Sequence, residues 1–396
     1  MNKIRSIDIA KGISVIFIVF LNSLKYWLII GDDVKYIVAY IVIFSEILGP
    51  MLFIFTYSFE NIFILKKMMG SPPERIFRNQ LLKKGIFFII LGLSYNLILN
   101  LFDELTLVLW GWNFLLFLGF AQFISYFAFK LIRWARLVIG LAILFLTPLL
   151  RELMYFNREN NIIFEFLYFF IVSPNPSFSL LPYASLCFFA SIFSELIYQA
   201  EVLENKKAIA ISIKSTLRYG LIFLLAGLAL SLIDLNPLFI TSSYDPLNYP
   251  FIDGTSILRN YNFQFIPNMP EFLLKGTSAY QLFIIGILII IVGLSFHFSD
   301  ILIIRNRILK GLQLYGEKSL TLIFIQYIFL PLFLFSLNII IIFPLTILFI
   351  VFLGYLMHIW KRYADSKLSI EWFIEKGRTK KIHEENKINN SILRSD

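Results

Sequence analysis

Read for the spacing of its apolar and polar positions, the chain is a succession of apolar blocks of about twenty residues. Each block is bounded by charges or turn formers, and none shows the strict alternation of a half-buried strand. A hydrocarbon layer about 30 Å thick needs about 20 helical residues to cross it. Ten stretches reach or approach that length: 9–30, 37–59, 85–101, 107–129, 134–150, 180–197, 213–235, 280–298, 320–337 and 339–360. The pattern predicts an all-α fold, a polytopic membrane helical bundle of about 10 transmembrane helices. The apolar piece 162–172 carries Glu165 and is too short to cross, so it is expected at the interface or as a re-entrant segment.

Composition points the same way. Of 396 residues, 58% are hydrophobic and 15% charged, against roughly a quarter charged in soluble proteins, which excludes a soluble globular fold. The net charge of +9 comes from Lys and Arg at the ends of apolar blocks, not from a soluble basic patch, so nucleic acid is not an expected partner. Positive charge orients the spans, because cytoplasmic loops are rich in Lys and Arg. With the amino terminus inside, the inner segments hold Lys66, Lys67, Arg75, Arg78, Lys83 and Lys84, then Lys130, Arg133 and Arg136, then Lys206, Lys207, Lys214 and Arg218, then Arg305, Arg307, Lys310 and Lys318. The outer segments read Asp32-Asp33, Asp103-Glu104, 151–176 and the long loop 234–275. Only an even number of spans preserves this alternation and leaves both termini cytoplasmic. One transmembrane domain, 1–376, is expected, followed by a basic polar cytoplasmic tail, 377–396.

Lys3 and Arg5 precede the first apolar block, yet Asp8 and Lys11 interrupt it and no cleavage site follows, so an uncleaved first span is expected. The loop 234–275 is dense in turn formers and aromatics, and reads either as an ordered lid or as a plain connection. The single cysteine, Cys187, lies in an apolar run and supports neither a disulfide framework nor a thiolate metal site. No metal is expected. No glycine pattern opens a strand and helix, and Gly316-Glu-Lys-Ser319 lacks the earlier glycine of a phosphate loop. A multi-pass protein of the cell membrane in contact with lipid is expected, and the sequence leaves a homodimer open.

Ionisable groups at membrane depth cost a few kcal/mol each and are kept mainly for function or pairing. Arg5, Asp8 and Lys11 share one face of the first span, so Asp8 can pair with both bases. Asn22 is polar in the outer half of that span. Glu46 precedes Gly49-Pro50, where proline removes a backbone hydrogen bond and favours a kink. It reads either as a functional carboxylate or as the structural partner of Lys25.

Arg5-Ser-Ile-Asp8-Ile-Ala-Lys11-Gly12, followed by 16–22 ending at Asn22, resembles the opening of the heparan-α-glucosaminide N-acetyltransferase-like membrane acyltransferases. The segment 45–55 with Glu46 and Pro50 is similar to that family's second span, and 78–92 to its basic third-span entry. Segments 111–126, 180–183, 265–270 and 316–320 follow in the family's order, so the resemblance covers about 1–376. It implies binding of acetyl-CoA (acyl-CoA) from the cytoplasmic side and transfer of the acetyl group to an extracytoplasmic glycan or lipid-linked sugar. The sequence departs from the family in three places. The family's catalytic histidine, between the positions matching Asn22 and Glu46, is absent, and the three histidines His297, His358 and His383 all fall on the inner side. Gln326 stands where the family has a late histidine, and Lys11 where it has arginine, which loses the bidentate fork.

Acyl transfer from a thioester needs a base, an oxyanion donor and a cofactor channel. Glu46 is the first candidate base, and Asp32 or Asp33 in the outer loop the second, unless they form a solvated turn. The Asn22 amide suits an oxyanion donor. For the phosphates of coenzyme A the candidates are Arg5 and Lys11 with Asp8, and Arg75, Arg78, Lys83 and Lys84, although inner loops are basic in any case. The rival expectation is a transporter or noncatalytic membrane protein on the same fold, with Pro50 and Pro331 as span interruptions and Glu46 as a coupling carboxylate.

Overall fold

The computed structural model describes residues 4–29, 35–69, 73–100, 112–172, 180–202, 206–232, 270–273, 277–302, 304, 306–333, 336–364 and 369–372. Each of the ten apolar stretches is overlapped by a helix. In chain order these are α1 (Arg5–Trp27), α2 (Lys35–Glu46), α3 (Leu52–Lys67), α4 (Pro73–Asn100), α5 (Phe114–Lys130), α6 (Arg133–Asn157), α7 (Ile162–Leu167), α8 (Leu180–Val202), α9 (Lys206–Leu230), α10 (Ser278–Phe296), α11 (Arg307–Glu317), α12 (Ser319–Phe329) and α13 (Ile339–Ala364). Among the described residues, seven helical segments are long and apolar enough to cross a membrane: Arg5–Trp27, Tyr40–Lys67, Arg133–Arg151, Leu180–Val202, Lys207–Leu230, Ser278–Ile301 and Ile339–Ala364. Phe114–Lys130 and Ser319–Phe333 are apolar but shorter, and α4 carries Glu74, Arg75, Arg78, Lys83 and Lys84 in its first half. Among the described residues there is no β-strand, only an isolated bridge between Leu28 and Leu337.

The local chemistry explains where these helices start and break. Asn113 accepts a hydrogen bond from the Leu116 N–H at 2.8 Å, and Thr277 from that of Tyr280 at 3.0 Å, each serving an otherwise unmatched donor of a helix start. Pro50 has no N–H, and around it the ladder loosens into a π-turn, Ile47–Met51, that joins α2 to α3. The Ser14 hydroxyl of α1 donates to the Gly49 carbonyl there at 2.7 Å. Pro331 likewise sits in a 3₁₀ turn, Leu330–Phe333, at the end of α12. Pro148 and Pro344, in contrast, lie inside the continuous helices α6 and α13.

Burial sorts the helices into inner and outer sets. In the Tyr40–Lys67 segment 78% of the apolar window is buried, against 17% in Lys207–Leu230, so the first is central and the second peripheral. α1, α8 and α10 belong with the inner set, and α6 and α13 with the outer. The outer helices turn Leu348, Val351, Leu221 and Leu225 outward, an arrangement suited to lipid. Glycines bring helices close. A Cβ at Gly12 would collide with the Leu312 backbone of α11, and one at Gly316 with the Asp8 backbone of α1, so this crossing excludes any larger residue. α7 and the π-turn Tyr168–Val172 expose Ile162, Ile163 and Phe166 while burying Tyr168. Of the long loop 234–275, only 270–273 is described: a 3₁₀ turn, Glu271–Leu273, with Phe272 packed on Phe283 of α10. The lid expectation otherwise lies outside the described residues.

Candidate functional site

The polar groups of the bundle gather at the two ends of α1. At its amino-terminal end, Lys11 is buried and forms an ion pair with Glu60 of α3, with its ammonium 4.8 Å from the centre of the Tyr57 ring. The spacing within α1 put Lys11 within reach of Asp8; Glu60 arrives from another helix and had no local signal. Arg5 donates to the Ile304 carbonyl at 3.2 Å and lies within the electrostatic reach of Asp300. Asp8 is buried where its backbone meets Gly316.

A piece of the carboxy-terminal chain completes this end. The Glu371 carboxylate accepts hydrogen bonds from the Leu320 N–H at 2.8 Å, the Thr321 N–H at 3.2 Å and the Thr321 hydroxyl, so it caps the first turn of α12. Lys318 donates to the Ser369 hydroxyl at 3.2 Å. Tyr57 lies within the electrostatic reach of both Glu60 and Glu371, which ties the cap to the Lys11 pair. Nearby helix ends are also pinned by charge, with Glu195 of α8 held between Arg136 of α6 and Lys66 of α3, the latter at 3.2 Å.

At the carboxy-terminal end of α1 the character changes. Glu46, only 2% exposed, immediately precedes the π-turn and forms an ion pair with the part-exposed Lys25 at 2.9 Å. The structural-partner alternative for Glu46 is therefore realised, and it does not remove the carboxylate from the interior. Tyr183 of α8 and Tyr280 of α10, both fully buried, lie within the electrostatic reach of Glu46, and buried Arg151 of α6 acts on Tyr183. Asn22, one turn before Lys25, has its side-chain amide against the Tyr327 hydroxyl of α12. Tyr26 and Tyr95 share a hydroxyl contact of 2.8 Å, and the Tyr95 and Tyr327 rings meet at a tilt of 49° with centroids 4.9 Å apart. The end of α1 itself is clamped: Trp27 Nε1 donates to the Leu330 carbonyl at 2.8 Å, and Ile29 N–H to that of Leu337 at 2.8 Å.

This arrangement brings Asn22 and Glu46 together through α1, and Arg5, Asp8 and Lys11 to the opposite end. Arg75, Arg78, Lys83 and Lys84 do not converge. At 100° per residue Arg75 and Lys84 point to opposite sides of α4, so this segment of α4 does not present the four charges on one face. Asp32 and Asp33 lie outside the described residues. Among the described residues no three His, Cys, Asp or Glu side chains gather as metal ligands. Tyr183, Tyr280, Arg151 and Glu371 escaped the sequence reading, because a tyrosine in an apolar block reads as core and a glutamate near the tail reads as solvated. No family model, no curated protein and no solved structure matches the chain.

Proposed function

We propose that this chain is an integral membrane acyltransferase of the kind its motifs resemble, moving an acetyl or similar group from cytoplasmic acetyl-CoA (acyl-CoA) to a glycan or lipid-linked sugar on the other side. The observation that carries the reading is the buried Glu46 carboxylate, held beside a broken helix by the part-exposed Lys25, one helical turn from Asn22. In this reading Glu46 takes the acceptor's proton, Lys25 holds the carboxylate in place, and the Asn22 N–H steadies the oxyanion of the thioester carbonyl. Arg5 and Lys11, at the other end of the same helix, face the phosphates of the incoming cofactor. The bundle in this reading has ten spans in the cell membrane with both termini cytoplasmic; single cysteines placed in a Cys187→Ser background should label from the inside at both termini.

Purified protein in detergent should gain about 2.7 kcal/mol when acetyl-CoA is present at 100 times its dissociation constant. It should transfer labelled acetyl to a sugar acceptor, and Glu46→Gln and Asn22→Ala should each abolish most of that transfer while expression is unchanged. No stabilisation up to millimolar acetyl-CoA contradicts the reading. A transporter is the second reading, supported by the helix break at Gly49-Pro50 beside a buried, paired carboxylate. It requires ion-driven solute uptake into vesicles that disappears in Glu46→Gln.

A further inference from the structure

Where α3, α5 and α8 end and α6 begins, positive charge collects around a single shared carboxylate. Lys66 of α3 and Arg136 of α6 both pair with Glu195 of α8, the lysine at 3.2 Å. Arg136, only 1% exposed, also donates through Nη1 to the Ser191 carbonyl at 3.1 Å. Arg133, one turn earlier on α6, donates to the Gln199 side chain at 2.7 Å, one turn beyond Glu195. Lys130, the last residue of α5, has its ammonium 4.4 Å from the centre of the Tyr126 ring, and Lys66 lies 5.6 Å from that of Phe129. Lys67, the next residue along α3, pairs with Glu201 at 3.3 Å.

The junction's own acceptors do not discharge it. With Lys67 matched by Glu201, the cations Lys66, Lys130, Arg133 and Arg136 have Glu195 between them; the acceptor of Arg133 is a neutral amide, and Lys130 faces a ring. Nε of Arg133 and Nε of Arg136 are buried without a hydrogen bond, although a guanidinium presents all its N–H groups as donors. Charges in open water need no such partner. Arg136 is enclosed by protein and Lys66 is part-buried, so salt and water screen their repulsion poorly and the junction gains from an added anion.

The surroundings decide which anion. Ile132 and Trp134 flank Arg133 and are each 73% exposed, and Val138, Phe145 and Leu149 continue the outward apolar stripe along α6. At 100° per residue, Trp134, Val138, Phe145 and Leu149 stay within about 60° of one another, so the stripe starts beside the charges and runs away from them along the helix. A free phosphate has no use for such a stripe. A phospholipid has, with its phosphate at Lys130 and Arg133, its acyl chains along the stripe and Trp134 at the level of the headgroups. A zwitterionic headgroup would bring a cation of its own against the surplus positive charge, so the fitting lipid has a net negative headgroup.

We infer that this junction is a binding site for an anionic phospholipid, whose phosphate is held by Lys66, Lys130 and Arg133 and whose acyl chains lie against Trp134 and Val138. Arg136 and Glu195 are positioning residues, the pair that fixes α6 on α8 and holds Lys66 at the edge of the site. Because the four helix ends belong to different parts of the chain, a lipid seated there ties them together and stabilises the bundle. The site lies apart from Asn22 and Glu46 and does not rest on the acyltransferase reading.

The test is the melting temperature of the full chain in detergent, followed as phosphatidylglycerol, phosphatidylcholine or inorganic phosphate is added. Phosphatidylglycerol should raise it saturably and by more than either other probe at equal concentration, and the gain should shrink in about 0.5 M salt. In Lys130→Gln and in Arg133→Gln the concentration giving half the gain should rise about fivefold, as expected for one basic residue lost from an anionic lipid contact. Arg362→Gln removes the same charge from α13, which packs on α1, α11 and α12 instead, and should leave that concentration unchanged. An equal gain from phosphatidylcholine, an equal gain from inorganic phosphate, no gain from any probe, or junction variants that respond as the parent does would each overturn the site. The ranking of probes needs no variant, so a misfolded mutant does not rescue the idea. Acetyl-CoA should add to the effect of phosphatidylglycerol; if it displaces the lipid, the junction belongs to a soluble phosphate ligand and the inference fails.

Discussion

The two ends of α1 are both polar, but they solve the problem of buried polarity differently. At the amino-terminal end, Lys11 meets Glu60, Arg5 meets a carbonyl, and Glu371 accepts three hydrogen bonds from the first turn of α12. Each end joins one buried group to a partner nearer water: Lys11 is buried and Glu60 is 30% exposed, whereas Glu46 is buried and Lys25 is 34% exposed. What differs is the sign of the buried charge and its company, an ammonium over the Tyr57 ring at one end and a carboxylate near Tyr183, Tyr280 and Arg151 at the other. A buried charge of either sign depends on its partner, so each pair should be costly to break from one side.

The largest test of that contrast is Lys25→Met. Glu46 would be left buried without its cation, and stability should fall by about 3 kcal/mol in chemical unfolding, most of it recovered in the Lys25→Met/Glu46→Gln double variant. An equal loss in the double variant would show that the pair is not what Lys25 contributes. Next comes Gly316→Val, which pushes a side chain into the Asp8 backbone and should cost about 2 kcal/mol by separating α11 from α1. Glu371→Gln should follow at about 1 kcal/mol, because the α12 cap keeps its geometry but loses its charge. The smallest effect belongs to Lys67→Ala. Its pair with Glu201, at 3.3 Å, is half exposed, and stability should change by less than about 0.5 kcal/mol. Should Lys67→Ala cost as much as Lys25→Met, the distinction between an exposed pair and one that holds a buried carboxylate fails.

Much of the scaffold was legible in the apolar pattern. The first span, expected at 9–30, runs Arg5–Trp27, and the break at Pro50 falls where a missing N–H requires it. Lys25 was within the sequence's grasp as a partner for Glu46, since a buried carboxylate demands a cation near its own depth. Glu60, Tyr183 and Tyr280 were not, because no periodicity along one helix says which residue of another will face it. The same limit explains Arg75, Arg78, Lys83 and Lys84, which are close in the chain but splayed around α4. Pro148 and Pro344 stay within helices, whereas Pro331 ends one, and a proline alone does not announce which it will do.

The central claim is that a thioester from the Arg5 end and an acceptor from the opposite end meet beside Asn22 and Glu46. A map of the full chain bound to a non-cleavable thioether analogue of acetyl-CoA tests it directly. The account predicts density entering at Arg5 and Lys11 and ending at the Asn22 amide. Ligand density confined to the lipid-facing side of α6, α9 or α13, or none along α1, would contradict it.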